Sequence, residues 1–201
     1  MQLTTLVAVL TASTGLLAGC GMQHARHHAG SLQTGPGGEV HATAQLRTPD
    51  GRPGGSVRLT ETSQGVLVAG QVEGVTPAGE HGFHIHTAGH CAPGPDPGGR
   101  TIAFGAAGGH FDPGGANRHA GPGHPPAQSH AGDLPNLTVG ADGRGSVQYM
   151  NPNITLSPGP VSALGRSIVV HEKADDMRTN PAGDSGGRIL CGVIEPVKPT
   201  R

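Results

Sequence analysis

The chain has 201 residues, of which 36 are glycine and 18 are proline, and its formal net charge is −1 with histidine counted as neutral. Disordered chains can hold this much glycine and proline, but disorder also needs a high net charge, so we expect one ordered domain of short elements and long loops. Three phenylalanines, one tyrosine and a balanced charge argue against nucleic acid as a partner. The 13 histidines, as many as lysine and arginine combined, point towards metal.

The first 19 residues contain no charged side chain and lead into the run Leu17-Ala18-Gly19-Cys20. Their apolar stretch is too short and too rich in serine and threonine for a membrane span. The run resembles the bacterial lipobox, in which a cysteine after small residues receives lipid and becomes the new amino terminus. We therefore predict a signal peptide over 1–19 and a lipidated Cys20 that holds the protein on the outer face of the cytoplasmic membrane or in the periplasm. An ordinary cleaved signal peptide is the alternative.

Residues 20–38 have the composition of a flexible linker in front of a domain over 39–201. His24, His27 and His28 lie in this linker, and histidine-rich tracts can capture metal. The sequence favours solvated linker residues over a metal site at these three positions.

Beyond the linker, the chain contains short apolar segments separated by turn signals such as Gln64-Gly65 and Asp142-Gly143. In Ser56–Thr60 apolar and polar residues alternate, which places Val57 and Leu59 on one face of a strand. No segment has a convincing helical period, so we predict an all-β sandwich or barrel. Its eight strands are Val40–Leu46, Ser56–Thr60, Val66–Val72, Gly82–His86, Leu137–Val139, Ser146–Met150, Ser167–His171 and Arg188–Ile194.

Two long segments, residues 88–133 and residues 172–187, do not fit a pattern of strands and tight turns. Unstructured loops beyond about 12–15 residues are uncommon in compact domains unless they carry a function. We therefore expect two functional loops, the first of them held in place by metal ligands and by a disulfide.

The three cysteines of the chain support export. With Cys20 lipidated, Cys91 and Cys191 remain as an even pair, which in an oxidising compartment indicates a disulfide. This bridge would tie the first long loop to the last predicted strand.

A metal site is indicated by histidines at several places in the chain. His84 and His86 lie two apart on a predicted strand, so both imidazoles point to the same face and can share one ion. Further candidates are His110, His119, His130 and Asp133 in the first loop, and His171 at the end of an apolar strand. Six imidazoles and one carboxylate without a thiolate suit copper and zinc, and three histidines with one aspartate are a reasonable zinc set.

At these positions the chain resembles the copper/zinc superoxide dismutases, in particular their exported bacterial branch. The resemblance covers roughly residues 39–196 and rests on six ordered motifs: His81–His86 (HGFHIH), Gly108–Pro113 (GGHFDP), Arg118–Pro122 (RHAGP), His130–Pro135 (HAGDLP), Val169–Asp176 (VVHEKADD) and Gly187–Ile194 (GRILCGVI). It implies an eight-stranded Greek-key β-barrel or sandwich and an enzyme that converts superoxide to dioxygen and hydrogen peroxide.

The resemblance also implies a role for each matching residue. His84, His86 and His171 would bind copper, with His110 as the fourth ligand and as a bridge to zinc. His119, His130 and Asp133 would complete the zinc site. Asp175 would join a copper ligand to a zinc ligand, and Arg188 would dock the superoxide anion beside copper.

This chain departs from the family pattern in two places. His119 and His130 are separated by an insertion that contains His124, which we expect to be solvent-exposed and not a competing ligand. The segment 177–187 is short, and its single basic residue, Arg178, is offset by Asp184. This segment therefore supplies no net positive charge to guide the substrate anion.

Two other classes of protein compete with this interpretation. A two-zinc hydrolase would need further aspartate or histidine near His86, where only His90 is close. A non-catalytic copper carrier or storage lipoprotein would more often use methionine or cysteine, and the four methionines here form no cluster. Both alternatives leave Asp175 and Arg188 without a role.

Overall fold

The computed structural model describes residues 40–197 of the chain. The predicted signal peptide, Cys20 and the linker with its three histidines lie outside the described residues. Eleven strands and one short 3₁₀ helix, Gly105–Ala107, form the described part. The strands are β1 His41–Arg47, β2 Pro53–Thr62, β3 Gly65–Val72, β4 Gly79–His81, β5 Phe83–His86, β6 Gly94–Pro95, β7 Thr101–Ile102, β8 Leu137–Val139, β9 Gly145–Asn151, β10 Ser167–His171 and β11 Arg188–Pro196.

Nine of these strands form one antiparallel sheet in the order β4-β8-β9-β3-β2-β1-β11-β10-β5. The first and last strands of this order, β4 and β5, follow each other in the chain with only Gly82 between them. The two ends of the sheet therefore meet at one residue, and the sheet curves into a nearly closed barrel. The prediction of an all-β barrel with two long loops is confirmed.

All eight predicted strands are present, with small shifts at their ends, and three short strands were not predicted. β4 has only three residues, Gly79–His81, and shows no apolar alternation. β6 and β7, which have two residues each, pair with each other inside the first long loop. The loop 88–133 thus has some regular structure of its own, and Gly82 separates two strands instead of starting one.

The barrel interior follows from the period of two along each strand. In β2, Val57 and Leu59 are buried, and Leu59 lies opposite Val68 of the neighbouring β3. Burial of one such side chain contributes about 1.5–3 kcal/mol. In β10 all five residues are buried, because the two long loops cover its outer face as well.

The first long loop is attached to the barrel by three kinds of contact. The predicted disulfide joins Cys91 to Cys191 of β11. Around it, Phe104 and Ala107 pack on Val169 in a small second apolar cluster. The loop also pairs with the outer edge of β5 through isolated bridges, in which Asp133 lies opposite His84 and His110 opposite His86. No helix among residues 40–197 is long and apolar enough to cross a membrane.

Candidate metal centre

Strand β5 presents His84 and His86 on the outer face of the barrel, since Phe83 and Ile85 fill the interior. His84 lies opposite Val169 of β10. Both histidines have no exposed surface, because the loops close over this face. The alternation that builds the barrel core thus also places two imidazoles side by side outside it.

His171 reaches the same place from the end of β10. A register shift between Val170 and His171 bends the strand at its last residue, as a β-bulge does. The backbone N–H of His171 donates to the carbonyl of Gly82 at 2.8 Å, which ties this end of β10 to the junction of β4 and β5.

A first group of possible ligands consists of His84, His86, His110 and His171, whose donor atoms lie within 4.8 Å of one another. Nδ1 of His84 and Nε2 of His110 are buried and have no hydrogen-bond partner among the described residues. A buried polar atom without a partner is costly, so each such atom calls for an explanation. A shared metal ion supplies one.

The other two histidines of this group are oriented by backbone carbonyls. His86 donates from Nδ1 to the carbonyl oxygen of Gly108 at 2.9 Å, and His171 from Nδ1 to that of Gly186 at 3.3 Å. Each ring therefore leaves its Nε2 free as a ligand, and these two Nε2 atoms lie 3.3 Å apart. Fixing one ring nitrogen by a hydrogen bond is the usual way to present the other to a metal.

A second group consists of His110, His119, His130 and Asp133, all buried. The Nδ1 atoms of the three histidines lie 2.8, 3.1 and 3.2 Å from Oδ1 of Asp133, in the order given. Three imidazole nitrogens and one carboxylate oxygen that converge on one point match a four-coordinate zinc site in ligand type and number.

His110 belongs to both groups. Its Nδ1 faces Asp133 at 2.8 Å, whereas its Nε2 is the unpartnered atom of the first group. The ring centroid of His110 lies 4.0 Å from that of His84 and 5.3 Å from that of His130. One imidazole can therefore bind an ion through each of its nitrogens.

Asp175 connects the two groups a second time. Its Oδ2 accepts from Nε2 of His84 at 2.7 Å, and its Oδ1 accepts from Nε2 of His119 at 2.8 Å. Each bond leaves Nδ1 of the histidine as the metal-binding atom. The carboxylate thus fixes one ring in each group, as outer carboxylates do in metal sites.

Burial determines the charge of the first group. It lowers the pKa of His84 and His86 well below 6.5, and the neighbouring imidazoles lower both further. Burial likewise lowers the pKa of His110, and it brings the pKa of His171 to about 3. The four rings are therefore neutral at physiological pH, the form that binds metal.

Carboxylates dominate in the second group. Burial alone would raise the pKa of Asp133, but the three imidazoles around it hold that pKa well below its usual range. Burial would likewise lower the pKa of His119, but hydrogen bonds to Asp133 and Asp175 raise it to about 9. In the metal-free chain a proton on His119 therefore balances the buried carboxylates, and a bound metal ion would take the place of that proton.

Arg188 lies at the start of β11 and is held by the first loop. Its Nη1 donates to the carbonyl of Phe104 and its Nη2 to that of Gly108, both at 2.7 Å. The carbonyl of Gly108 also accepts from His86, so the guanidinium and a ring of the first group share one acceptor. Burial lowers the pKa of Arg188, but a guanidinium remains charged in proteins.

Sequence reasoning missed residues that act only through tertiary contacts. The side-chain amide of Asn136 donates to the carbonyl of Asp175 and accepts from its N–H, both at 2.9 Å. At Gly183, any Cβ would overlap Oδ1 of Asp175 and press on Nε2 of His119. No motif marks either position, because the contacts join residues far apart in the chain.

Other histidines take no part in the two groups. His124 is exposed, as expected, and its backbone carbonyl accepts from Asn153 at 2.8 Å. His81 is buried, but its ring nitrogens lie 2.8 and 3.0 Å from the carbonyl oxygens of His171 and Pro77. The residues predicted as ligands are thus the ones that the fold gathers, and they fit copper and zinc by donor type, number and unpartnered atoms.

Comparisons with known proteins agree with this geometry. Residues 54–194 match the family described as copper/zinc superoxide dismutase (SODC). The chain is 46% identical over 160 residues to the Cu-Zn superoxide dismutase of Deinococcus radiodurans, covering 80% of this chain and 87% of that protein. Among solved structures, the Cu/Zn superoxide dismutase from Brucella abortus is similar with a TM-score of 0.65 and 34% identity, over 77% of this chain and 99% of that chain. A SOD-like protein from Bacillus subtilis has a TM-score of 0.63 and 35% identity, over 75% of this chain and 95% of that chain.

Proposed function

The chain belongs to the copper/zinc superoxide dismutase family and is a superoxide dismutase with copper and zinc as cofactors. We propose which residues bind the metals, the proton and the anion, and in which compartment the enzyme acts. Two superoxide anions and two protons are converted to dioxygen and hydrogen peroxide. In our assignment His84, His86, His110 and His171 bind copper. His119, His130 and Asp133 bind zinc together with His110.

The observation that carries this assignment is the position of His110. One of its nitrogens belongs to each ligand group, and the one in the first group is buried without a partner. Copper, when bound, supplies the one-electron chemistry, because it changes oxidation state readily and zinc does not. Nε2 of His110 can hold a proton between the two halves of the reaction, while Nδ1 keeps the ring in place on the zinc side.

Arg188 provides the binding site for the anion. Its guanidinium is fixed by two loop carbonyls and shares the Gly108 carbonyl with His86. A preorganised positive charge beside the first group stabilises an anion there without having to reorient. The net charge of −1 does not oppose this, since the local field matters more than the total charge.

The assignment is tested by loading the purified protein with copper and zinc and measuring metal content and superoxide dismutation together. We expect one copper and one zinc per chain, fast dismutation and inhibition by cyanide, which binds copper. Stoichiometric metal binding without dismutation would instead support a copper-storage lipoprotein.

We further propose that the enzyme works outside the cytoplasm, anchored by lipid on Cys20, and protects the cell envelope from superoxide. The Leu17-Ala18-Gly19-Cys20 run supports this, and so does the Cys91–Cys191 disulfide, which suits an oxidising compartment. We expect wild type in the membrane fraction and Cys20→Ser in the soluble fraction. Equal solubility of the two proteins after fractionation would contradict the anchor.

A further inference from the structure

Arg166 lies directly before β10 and is not a member of either ligand group. Its guanidinium carbon lies 4.6 Å from the centroid of the Phe111 ring, over the ring face. Its Nη1 donates to the carbonyl of Thr87 at 2.6 Å. Its Nε–H is buried and has no acceptor among the described residues, so these two contacts are what hold the side chain.

The two contacted residues have one property in common: each follows a histidine of the first ligand group. Thr87 follows His86, and Phe111 follows His110. The two histidines face each other in an isolated antiparallel bridge. Arg166 thus touches both segments one residue beyond the ligands themselves.

Hydrogen bonds connect Thr87 and Phe111 to the segments that contain the two histidines. The N–H of Thr87 donates to the carbonyl of Gly109 at 2.9 Å, and its hydroxyl lies 3.1 Å from the carbonyl of His110. The N–H of Phe111 donates to the carbonyl of Ile85 at 2.8 Å. The end of β5 and the loop segment with His110 therefore move as one unit only while these bonds remain.

The barrel holds Arg166 itself in place. Its N–H donates to the carbonyl of Ala163 at 3.1 Å, and its own carbonyl accepts from Ile194 of β11 at 2.9 Å. A planar guanidinium can cover an aromatic face and donate at its edge at once, whereas an ammonium group cannot do both in the same way. Arg166 therefore connects the rigid sheet to both segments.

We propose that Arg166 is a positioning residue, which acts through Thr87 and Phe111 to fix the separation of His86 and His110. That this separation matters for copper rests on the proposed function. The contacts of Arg166 with Thr87 and Phe111, which we call the clamp, belong to the metal-free chain. They can be tested without any metal or substrate.

Amide hydrogen exchange of the metal-free protein tests the clamp. We expect Arg166→Ala to speed exchange at the amides of Thr87 and Phe111 about tenfold, as the loss of a cation–π contact and a charge-assisted hydrogen bond implies. Amides of β2 and β3 should be unchanged. The control is Arg58→Ala, which removes an exposed arginine from β2 and should change neither region.

The copper(II) electron paramagnetic resonance spectrum of the loaded protein is the second readout, because it reports ligand geometry and not overall stability. We expect altered hyperfine splitting in Arg166→Ala, a smaller change in Arg166→Lys and none in Arg58→Ala. Arg166→Lys also serves if Arg166→Ala does not fold.

Unchanged exchange at Thr87 and Phe111, or an equal increase throughout the barrel, would overturn the proposal. A wild-type exchange pattern and a wild-type spectrum in Arg166→Lys would overturn the claim that the guanidinium shape matters. If wild type failed to dismutate superoxide, the proposed function would be wrong, and the exchange data would still decide about the clamp.

Discussion

The barrel and the two long loops are ordered in different ways. Barrel residues such as Leu59 and Val68 are buried because strands alternate apolar and polar side chains, and continuous ladders satisfy their backbones. The loops have no such alternation: the first packs a small apolar cluster with Phe104 on the barrel, and both converge on two carboxylates, Asp133 and Asp175. Their order therefore depends on buried polar contacts, and in the first loop also on this cluster and on the Cys91–Cys191 disulfide. Substitutions at the metal ligands and at these carboxylates should therefore disturb the loops and the catalytic activity, while the barrel stays folded.

His171→Ala tests this separation most severely. The variant removes a ligand from the first group but leaves the β10–β11 pairing and the second group in place. We expect dismutation to fall to the level of the uncatalysed reaction, with zinc retained and an unchanged circular dichroism spectrum. Near-full activity after copper loading would show that His171 is not a ligand. A loss of the barrel signal would show that site and barrel are not independent.

Arg188→Glu should cause the next largest loss of rate, and Arg188→Lys is its matched variant. Reversing the charge replaces attraction of the anion by repulsion, and one unit charge at about 4 Å is worth roughly 4 kcal/mol at an effective dielectric constant near 20. We expect at least a tenfold slower reaction for Glu with both metals retained, and partial activity for Lys, which cannot donate to Phe104 and Gly108 in the paired way of a guanidinium.

Ionic strength separates this electrostatic role from a structural one. The wild-type rate should fall as salt increases, and the Glu variant should lose or reverse that dependence. Identical rates and identical salt slopes in all three proteins would show that Arg188 does not act on the substrate anion.

Asp133→Ala should act on the second group and on the loop that contains it. The second group loses its only carboxylate, which contacts all three imidazole nitrogens, so we expect zinc to be lost while copper still binds. Amide exchange should increase in 108–133, and the melting temperature of the metal-loaded protein should fall. Glu73→Ala, which removes an exposed carboxylate near the end of β3, is the control. Unchanged zinc content and melting temperature would argue against the assignment.

Asn136→Ala should give the smallest effect of the four. It removes two hydrogen bonds that hold the backbone of Asp175, at a cost of about 1–3 kcal/mol. We expect a few-fold weaker zinc binding with the barrel intact. Asn153→Ala, a half-buried asparagine that contacts the insertion near His124, is the matched control and should leave zinc binding unchanged. Equal zinc affinity in both variants would show that Asp175 needs no such support.

Most of the barrel and most of the candidate ligands could be predicted from the sequence. The remaining features could not, for physical reasons. Strands with a period of two, such as Ser56–Thr60, can be recognised in the sequence because alternation depends only on neighbouring residues. β4 was missed because three residues, Gly79–His81, are too short to alternate. The division of the histidines into a copper and a zinc group came from the family resemblance and not from their spacing. Asn136 and Arg166 could not be found, since each acts through contacts that exist only after folding.

The junction at Gly82 has a consequence for solubility. A β-sheet with free edges invites other chains to add strands and aggregate, and proteins commonly cover such edges. Here β4 and β5, the two ends of the strand order, are continuous through Gly82, and the outer edge of β5 bonds to the first loop at Gly132 and Phe111. The loop that assembles the metal centre therefore also shields the last open strand of the barrel. Metal binding and resistance to edge-to-edge aggregation therefore depend on the same segment of the chain.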